Sequence, residues 1–291
     1  MEYITAQWIF IFFVYCFLGW VFESTWMSLN EKRLVNRGFL RGPVLPIYGC
    51  GALLMLSLHF LTPYPAGLFF AGLAIATVFE YIVGVIMENL FHVKYWDYSN
   101  QKFQFQGKIC LSSSLTWGGM TCLLNYGFHD TIGQKVLAVP EKTVAGLDVL
   151  FCILFAADIL WSVHSALGLA KVLQEMEKLQ QEAENLRRQI AQNAMEKRQA
   201  LRENFCQLRQ LTQEELLQKG QAIREDAQEQ KARLEESRVQ LHLALREAET
   251  HMEEKMSGLK WSHRSLLQGN PHAVSSLHSK GMQAIRRRLG K

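Results

Sequence analysis

A chain of 291 residues with 31 Lys+Arg against 27 Asp+Glu is near charge balance, and its mean hydropathy near zero would suit an ordinary globular domain. That average hides two unlike halves: residues 1–170 hold 9 of the basic and 10 of the acidic residues, a net of −1, and residues 171–291 hold the other 22 and 17, a net of +5. The split excludes a single soluble domain and reads as a membrane protein followed by a water-soluble helix.

In chain order, five apolar spans can be drawn, each near the ~20 residues a bilayer needs. The first, about 5–29, contains Glu23; it has no positive n-region and no small-residue cleavage site, so it does not read as a cleavable signal peptide. The second, about 43–61, opens on Pro43 and Pro46, which a first helical turn tolerates. The third, about 66–91, carries Glu80 and Glu88. The fourth, about 109–128, is the weakest, diluted by Ser112, Ser113, Ser114, Thr116 and Asn125. The fifth, about 144–170, carries Asp148 and Asp158.

Lys32, Arg33, Arg37 and Arg41 load the first loop, and Lys94, Lys102 and Lys108 the third. Positive charge therefore favours these loops and the tail as cytoplasmic, with the N-terminus outside. Trp8, Trp26, Trp96 and Trp161 lie towards span ends, where aromatic rings prefer to sit.

Lys171 to Ser257 contains no proline and one glycine, Gly220, in a Gln/Glu/Arg/Lys/Leu/Ala background, the composition of a long helix. Apolar residues recur at steps of three and four (Leu201, Phe205, Leu208, Leu211, then Leu241, Leu245, Ala248, Met252), which is a heptad seam. So narrow a stripe calls for a partner: a second copy of the chain, another coiled-coil protein, or the same helix folded back with Gly220 as the bend. From Gly258 on there are no acids and seven basic residues, from Lys260 to Lys291. The segment reads as a basic amphipathic tail for anionic lipid, or as a solvated disordered one; no binding motif supports nucleic acid. The expected fold is thus all-α: a five-helix transmembrane bundle over 1–170, a long cytoplasmic coiled-coil helix over 171–257, and the tail 258–291.

Enzyme motifs are missing. There is no Gly-x-x-x-x-Gly-Lys-Ser/Thr loop, no Gly-x-Ser-x-Gly elbow and no His-Glu-x-x-His, and the six cysteines form no Cys-x-x-Cys pair. No metal or cofactor is expected. What remains is an intramembrane set of acids, Glu23, Glu80, Glu88 and Asp158. A charge at the bilayer centre costs at least ~2.5 kcal/mol, so such groups face a bundle interior or water. They line a polar path or pair structurally with basic residues; Glu80 lies deepest. The stretch Asn36 to Gly51 is the other unusual one. Gly38, Gly42, Pro43, Pro46 and Gly49 forbid a continuous helix, and free N–H groups beside Arg37 and Arg41, near Tyr48, can hold an anion or form a re-entrant turn. Trp96, Asp97 and Tyr98, with Gly107 and Lys108, mark a third-loop interface motif.

These pieces (Tyr15, Gly19-Trp20 and Glu23; Asn36 to Leu40; Gly42-Pro43 and Pro46 to Gly49; Glu80-Tyr81 and Glu88; Trp96 to Ser99; Gly107 to Leu111; Asp158) resemble, in fixed order over residues 8–170, the family of Putative ABC-transporter type IV permeases. The resemblance implies a multi-span protein of the bacterial cytoplasmic membrane and assigns no catalytic residues. It implies an arginine where Lys108 stands and a less basic residue where Arg41 stands. The leading expectation is a permease-like transport subunit, no enzyme and without an ATPase of its own, served by a separate ATPase subunit or an ion gradient. The alternative is a membrane-anchored scaffold acting through its coiled coil; acid–base work on a lipid is a distant third.

Overall fold

The structure, a computed structural model, describes residues 3–210 and 213–288. Among the described residues three helices are long and apolar enough to cross a membrane: α1 (Thr5–Glu31), α3 (Pro65–Phe91) and the first part of α6 (Glu141–Gln210). The 27 residues of α1 and of α3 each extend about 40 Å at 1.5 Å per residue. Both are apolar on all sides, as a helix solvated by lipid must be. Both stop at a residue forced into the left-handed region, Lys32 (φ 52°) and His92 (φ 53°), whose N–H groups turn back onto the last turn.

The second expected span is not a continuous membrane-length helix, so in place of the expected five-helix bundle stand three long apolar helices, the short α2, and a continuous helical run over 111–137 with a π-helical turn inside it. Helix α2 (Pro46–Leu56) has 11 residues, about 16 Å, too short to cross. The reason lies upstream: residues 32–45 form no helix and run back alongside α1 until Leu45 N–H reaches the Cys16 carbonyl at 3.0 Å. Helix α2 thus starts beside the middle of α1. The close approach needs two glycines: a Cβ on Gly19 would lie 2.2 Å from Cγ of Tyr48, and one on Gly49 would lie 2.4 Å from Sγ of Cys16.

The fourth span is one continuous helical run made of α4 (Leu111–Leu123), a π-helical turn (Leu124–Phe128) and α5 (His129–Leu137). Asn125 opens the ladder there: its amide donates to both the Thr121 and Met55 carbonyls, at 3.0 Å each. Ile11, Tyr15, Met55, Ala76, Leu124 and Val136, drawn from five elements, form the apolar core on this side of the polar residues.

The chain divides into two compact units, Met1–Lys171 with Lys260–Met282, and Val172–Leu259 with the residues from Gln283. Within the first, the region expected as a solvated or amphipathic tail is folded. Helix α8 (Trp261–Gly269) buries Leu266 and Leu267, and strand β4 (Val274–Ser275) pairs antiparallel with β1 (Val93–Lys94). Two further short strands, β2 (Gln104–Phe105) and β3 (Ile109–Cys110), form a hairpin before α4. Helix α9 (Ser279–Arg288) ends the described chain.

The second unit is an antiparallel helical hairpin, not one unbroken helix. Helix α7 (Gln213–Ser257) lies along the later part of α6, with Lys255 on Glu175 (2.6 Å), Arg187 on Glu249 (2.8 Å), Asn193 on Ser237 (3.3 Å) and Lys197 on Glu235. Ala183 and Ala248, at matching heights in that register, are both buried, so part of the heptad seam is covered by the chain itself. Gly220 lies inside α7 and is not the bend. Leu201 stays exposed; Leu211 of the seam, with Leu289 and Lys291 of the tail, lies outside the described residues.

Candidate functional site

Non-helical backbone at membrane depth needs a partner for every N–H, because lipid offers none. The 32–45 loop finds its partners on α1 and α6. Ser28 Oγ accepts from Val35 N–H (2.9 Å), Ser24 Oγ accepts from Arg37 N–H (3.1 Å), and Asp158 takes the next pair: Oδ1 from Arg41 N–H (3.1 Å) and Oδ2 from Gly42 N–H (2.8 Å). Ser162, one turn on along α6, donates to the same Oδ1 at 3.2 Å. A Cβ on Gly42 would sit 3.1 Å from Oδ2, so the contact favours glycine. The anion cradled by these N–H groups is therefore the chain's own carboxylate.

Arg37 is engaged as well. Its Nε lies 3.6 Å from Glu23 Oε2, and its Nη1 donates to Asn270 Oδ1 at 2.8 Å. Asn270, 2 % exposed, donates in turn to the Gly38 and Leu266 carbonyls at 3.0 Å each, and so ties the loop to α8. On its other side Glu23 accepts the Tyr48 hydroxyl at 2.7 Å. The Tyr48 ring lies 5.6 Å from that of Trp117, which leads to the second nest.

There Glu80, 4 % exposed, accepts three hydrogen bonds: Ser113 Oγ (2.7 Å), Trp117 Nε1 (3.0 Å) and Tyr98 Oη (3.1 Å). Ser113 and Trp117 stand four apart on α4 and so share one face. Tyr98 comes from the third loop, which also dips beside α3. That loop is built on itself: Tyr98 N–H reaches the Gly107 carbonyl (2.8 Å), Trp96 Nε1 the Lys108 carbonyl (2.9 Å), and Asp97 Oδ1 caps Ser99 N–H (3.0 Å). Gly107 adopts φ 68°, a conformation that suits glycine. Lys108 Nζ meets Glu88 at 2.6 Å, with both side chains mostly buried.

Glu23, Glu80, Tyr48, Arg37 and Gly38 thus join one chain of contacts. Asp158 with Arg41 and Gly42 holds the same loop, and Glu88 with Lys108 lies along α3 from Glu80. Pro43, Pro46 and Gly49 shape the loop and the start of α2 and bond to none of the acids. Sequence reasoning missed Ser24, Ser28, Ser113, Ser162, Trp117 and Asn270; the four-residue spacings Ser24/Ser28 and Ser113/Trp117 on apolar helices were the available signal. It also missed His129, whose two ring nitrogens meet the hydroxyls of Tyr15 (3.1 Å) and Tyr3 (3.2 Å). His263 of α8 packs against Gly168. Burial, then Lys260 and His164, holds its imidazole below the usual histidine range. Among the described residues no group of three or more His, Cys, Asp or Glu could hold a metal ion.

A family model described as Putative ABC-transporter type IV matches residues 10–163. That interval contains all four acids and both loops, and it ends before the helical hairpin. No curated protein and no solved structure matches the chain.

Proposed function

Because the chain belongs to the Putative ABC-transporter type IV family, which makes it a membrane transport-related protein, we propose that it is the permease-like membrane subunit of a transporter. In this reading its acids latch two re-entrant loops, and it carries out no covalent chemistry of its own. The observation that carries the reading is the network itself: Glu23 and Glu80 are each engaged by donors from two separate segments, and Asp158 by two adjacent N–H groups of the first loop. Buried charges at membrane depth are costly. Here they hold the two stretches of backbone that could move without unwinding a spanning helix. Such loops are suited to gate a path on one side of the bilayer.

The side is the cytoplasmic one. The two basic loops and the 260–282 segment, each assigned there by its positive charge, touch one another: Arg33 Nη2 meets the Gln268 carbonyl (3.2 Å), Arg37 meets Asn270, and Ser276 N–H meets the His92 carbonyl (3.0 Å). The energy comes from a separate ATPase subunit, since the sequence carries no phosphate-binding loop of the Gly-x-x-x-x-Gly-Lys-Ser/Thr type. The scaffold alternative loses ground because the hairpin covers part of its own seam.

The test is affinity purification of the full chain from its native membrane in mild detergent, assayed for ATP hydrolysis. A co-purifying ATPase whose rate changes with Glu80→Gln or Asp158→Asn is the expected result. Quantitative recovery of the chain with no ATPase, under conditions that keep multi-subunit transporters intact, would overturn the reading.

A further inference from the structure

A groove of about 710 Å³ opens between α1 and α6, walled by Phe10, Phe13, Phe17, Phe151 and Phe155. Both walls belong to spanning helices, so the medium around them is lipid. Along α1 the lining runs from Phe10 to Leu18, about 12 Å at 1.5 Å per residue. At one end the apolar wall gives way to Arg41, Gly42 and Asp158.

Arg41 differs from its basic neighbours Arg33 and Arg37 and from Lys108. Arg37 and Lys108 each face a carboxylate, and Arg33 lies 3.7 Å from Glu31. Arg41 faces none within ion-pair distance among the described residues; Asp158 takes its backbone N–H, not its guanidinium. Its guanidinium carbon instead lies 4.9 Å from the Trp161 ring centre and 4.7 Å from that of Trp261. Indole contacts cover the flat of a guanidinium and leave its in-plane N–H donors available, and those donors match two oxygens of a phosphate. Asp158, the one acid at the groove, is itself covered by three donors: two loop N–H groups and the Ser162 hydroxyl.

We propose that this groove is a binding site for one anionic phospholipid, with an acyl chain between the phenylalanines of α1 and α6 and the phosphate on Arg41. An occupied site would hold the 41–44 corner of the first loop against α6. It is a property of the bundle and stands whether or not the chain is a transport subunit.

The test is native mass spectrometry of the detergent-solubilised full chain, titrated with phosphatidylglycerol, phosphatidylcholine and phosphatidylethanolamine of identical acyl chains. The expected result is one phosphatidylglycerol retained per chain in preference to both zwitterionic lipids. Arg41→Gln should weaken it about ten-fold, the scale of one lost charge-assisted contact. Arg41→Lys should keep part of the preference. Val14→Trp, which fills the groove without touching the charge, should abolish retention of all three lipids. Equal retention of the three lipids by the wild type would overturn the proposal. So would phosphatidylglycerol retention unchanged in Val14→Trp, a readout that does not require the Arg41 variants to fold.

Discussion

The two loops, residues 32–45 and 92–110, solve one problem in opposite ways. Residues 32–45 have little internal bonding, and their N–H groups are met by borrowed acceptors: Ser28, Ser24, Asp158 and the Cys16 carbonyl. Residues 92–110 carry their own short hairpin and internal bonds, pair through β1 with β4, and meet α3 through the side chains of Tyr98 on Glu80 and Lys108 on Glu88. The first loop is therefore only as stable as the helices beside it. The second draws more of its shape from its own bonds. In the second, the helix side supplies the acceptor and the loop a donor; in the first, the loop supplies bare backbone.

The largest effect should come from Glu80→Leu, which strands three buried donors at once. A loss of about 3–5 kcal/mol is expected, read as the thermal unfolding of the solubilised chain. Next is Asp158→Ala, about 2–3 kcal/mol from two loop N–H groups left without an acceptor. The contrast is sharpest in thiol labelling. Cys16 takes the Leu45 N–H at the end of the first loop on its carbonyl and packs its thiol against Gly49, Cys110 ends the second loop, and both are buried. Asp158→Ala should make Cys16 reactive to maleimide and leave Cys110 inert. Labelling of both cysteines together would mean that the loops open as one, and the distinction would fail.

Lys108→Ala should cost about 1–2 kcal/mol, between an exposed pair and a fully buried one, with Lys108→Arg close to wild type. Acid should act through α8. His263 is held below its ordinary 6.5, so the unfolded chain binds its proton first. Its contribution is whole above about pH 6.5 and is lost as pH falls below that. His263→Gln should flatten this part of the pH–stability curve measured between pH 5 and 8. The smallest effect is expected from Arg187→Ala in the hairpin, an exposed pair worth about 0–1 kcal/mol.

What the sequence made legible follows from where the physics is local. Uninterrupted apolar runs sufficed for α1, α3 and the start of α6, and a membrane-depth carboxylate announced itself at Glu80. The second span misled because apolar composition counts residues, not rise. Residues 43–61 are apolar, but their first part is extended and anchored to Cys16, which no window over that segment alone can reveal. The serines that weakened the fourth span were evidence of another kind: Ser113 is apolar-helix polarity aimed at Glu80. The hairpin was one of the alternatives left open, but its turn was expected at the lone glycine. Helix α7 runs through Gly220, where an interior glycine costs only about 1 kcal/mol. The folding-in of residues 260–282 rests on Asn270 and a two-residue strand, pairings between positions far apart in the chain that leave no periodic trace.

That last pairing makes the hairpin an insertion. The membrane unit is interrupted at Lys171 and resumes at Lys260, with Gly168 and His263 in contact across the gap. During synthesis the bundle therefore waits for its closing piece until the whole helical hairpin has left the ribosome. Cutting the chain after residue 171 would remove the hairpin and also the Asn270 tie and the β4 strand, leaving Arg37 and the first loop short of partners. The clean excision is residues 172–259 replaced by a few glycines, which removes the hairpin and spares the latch.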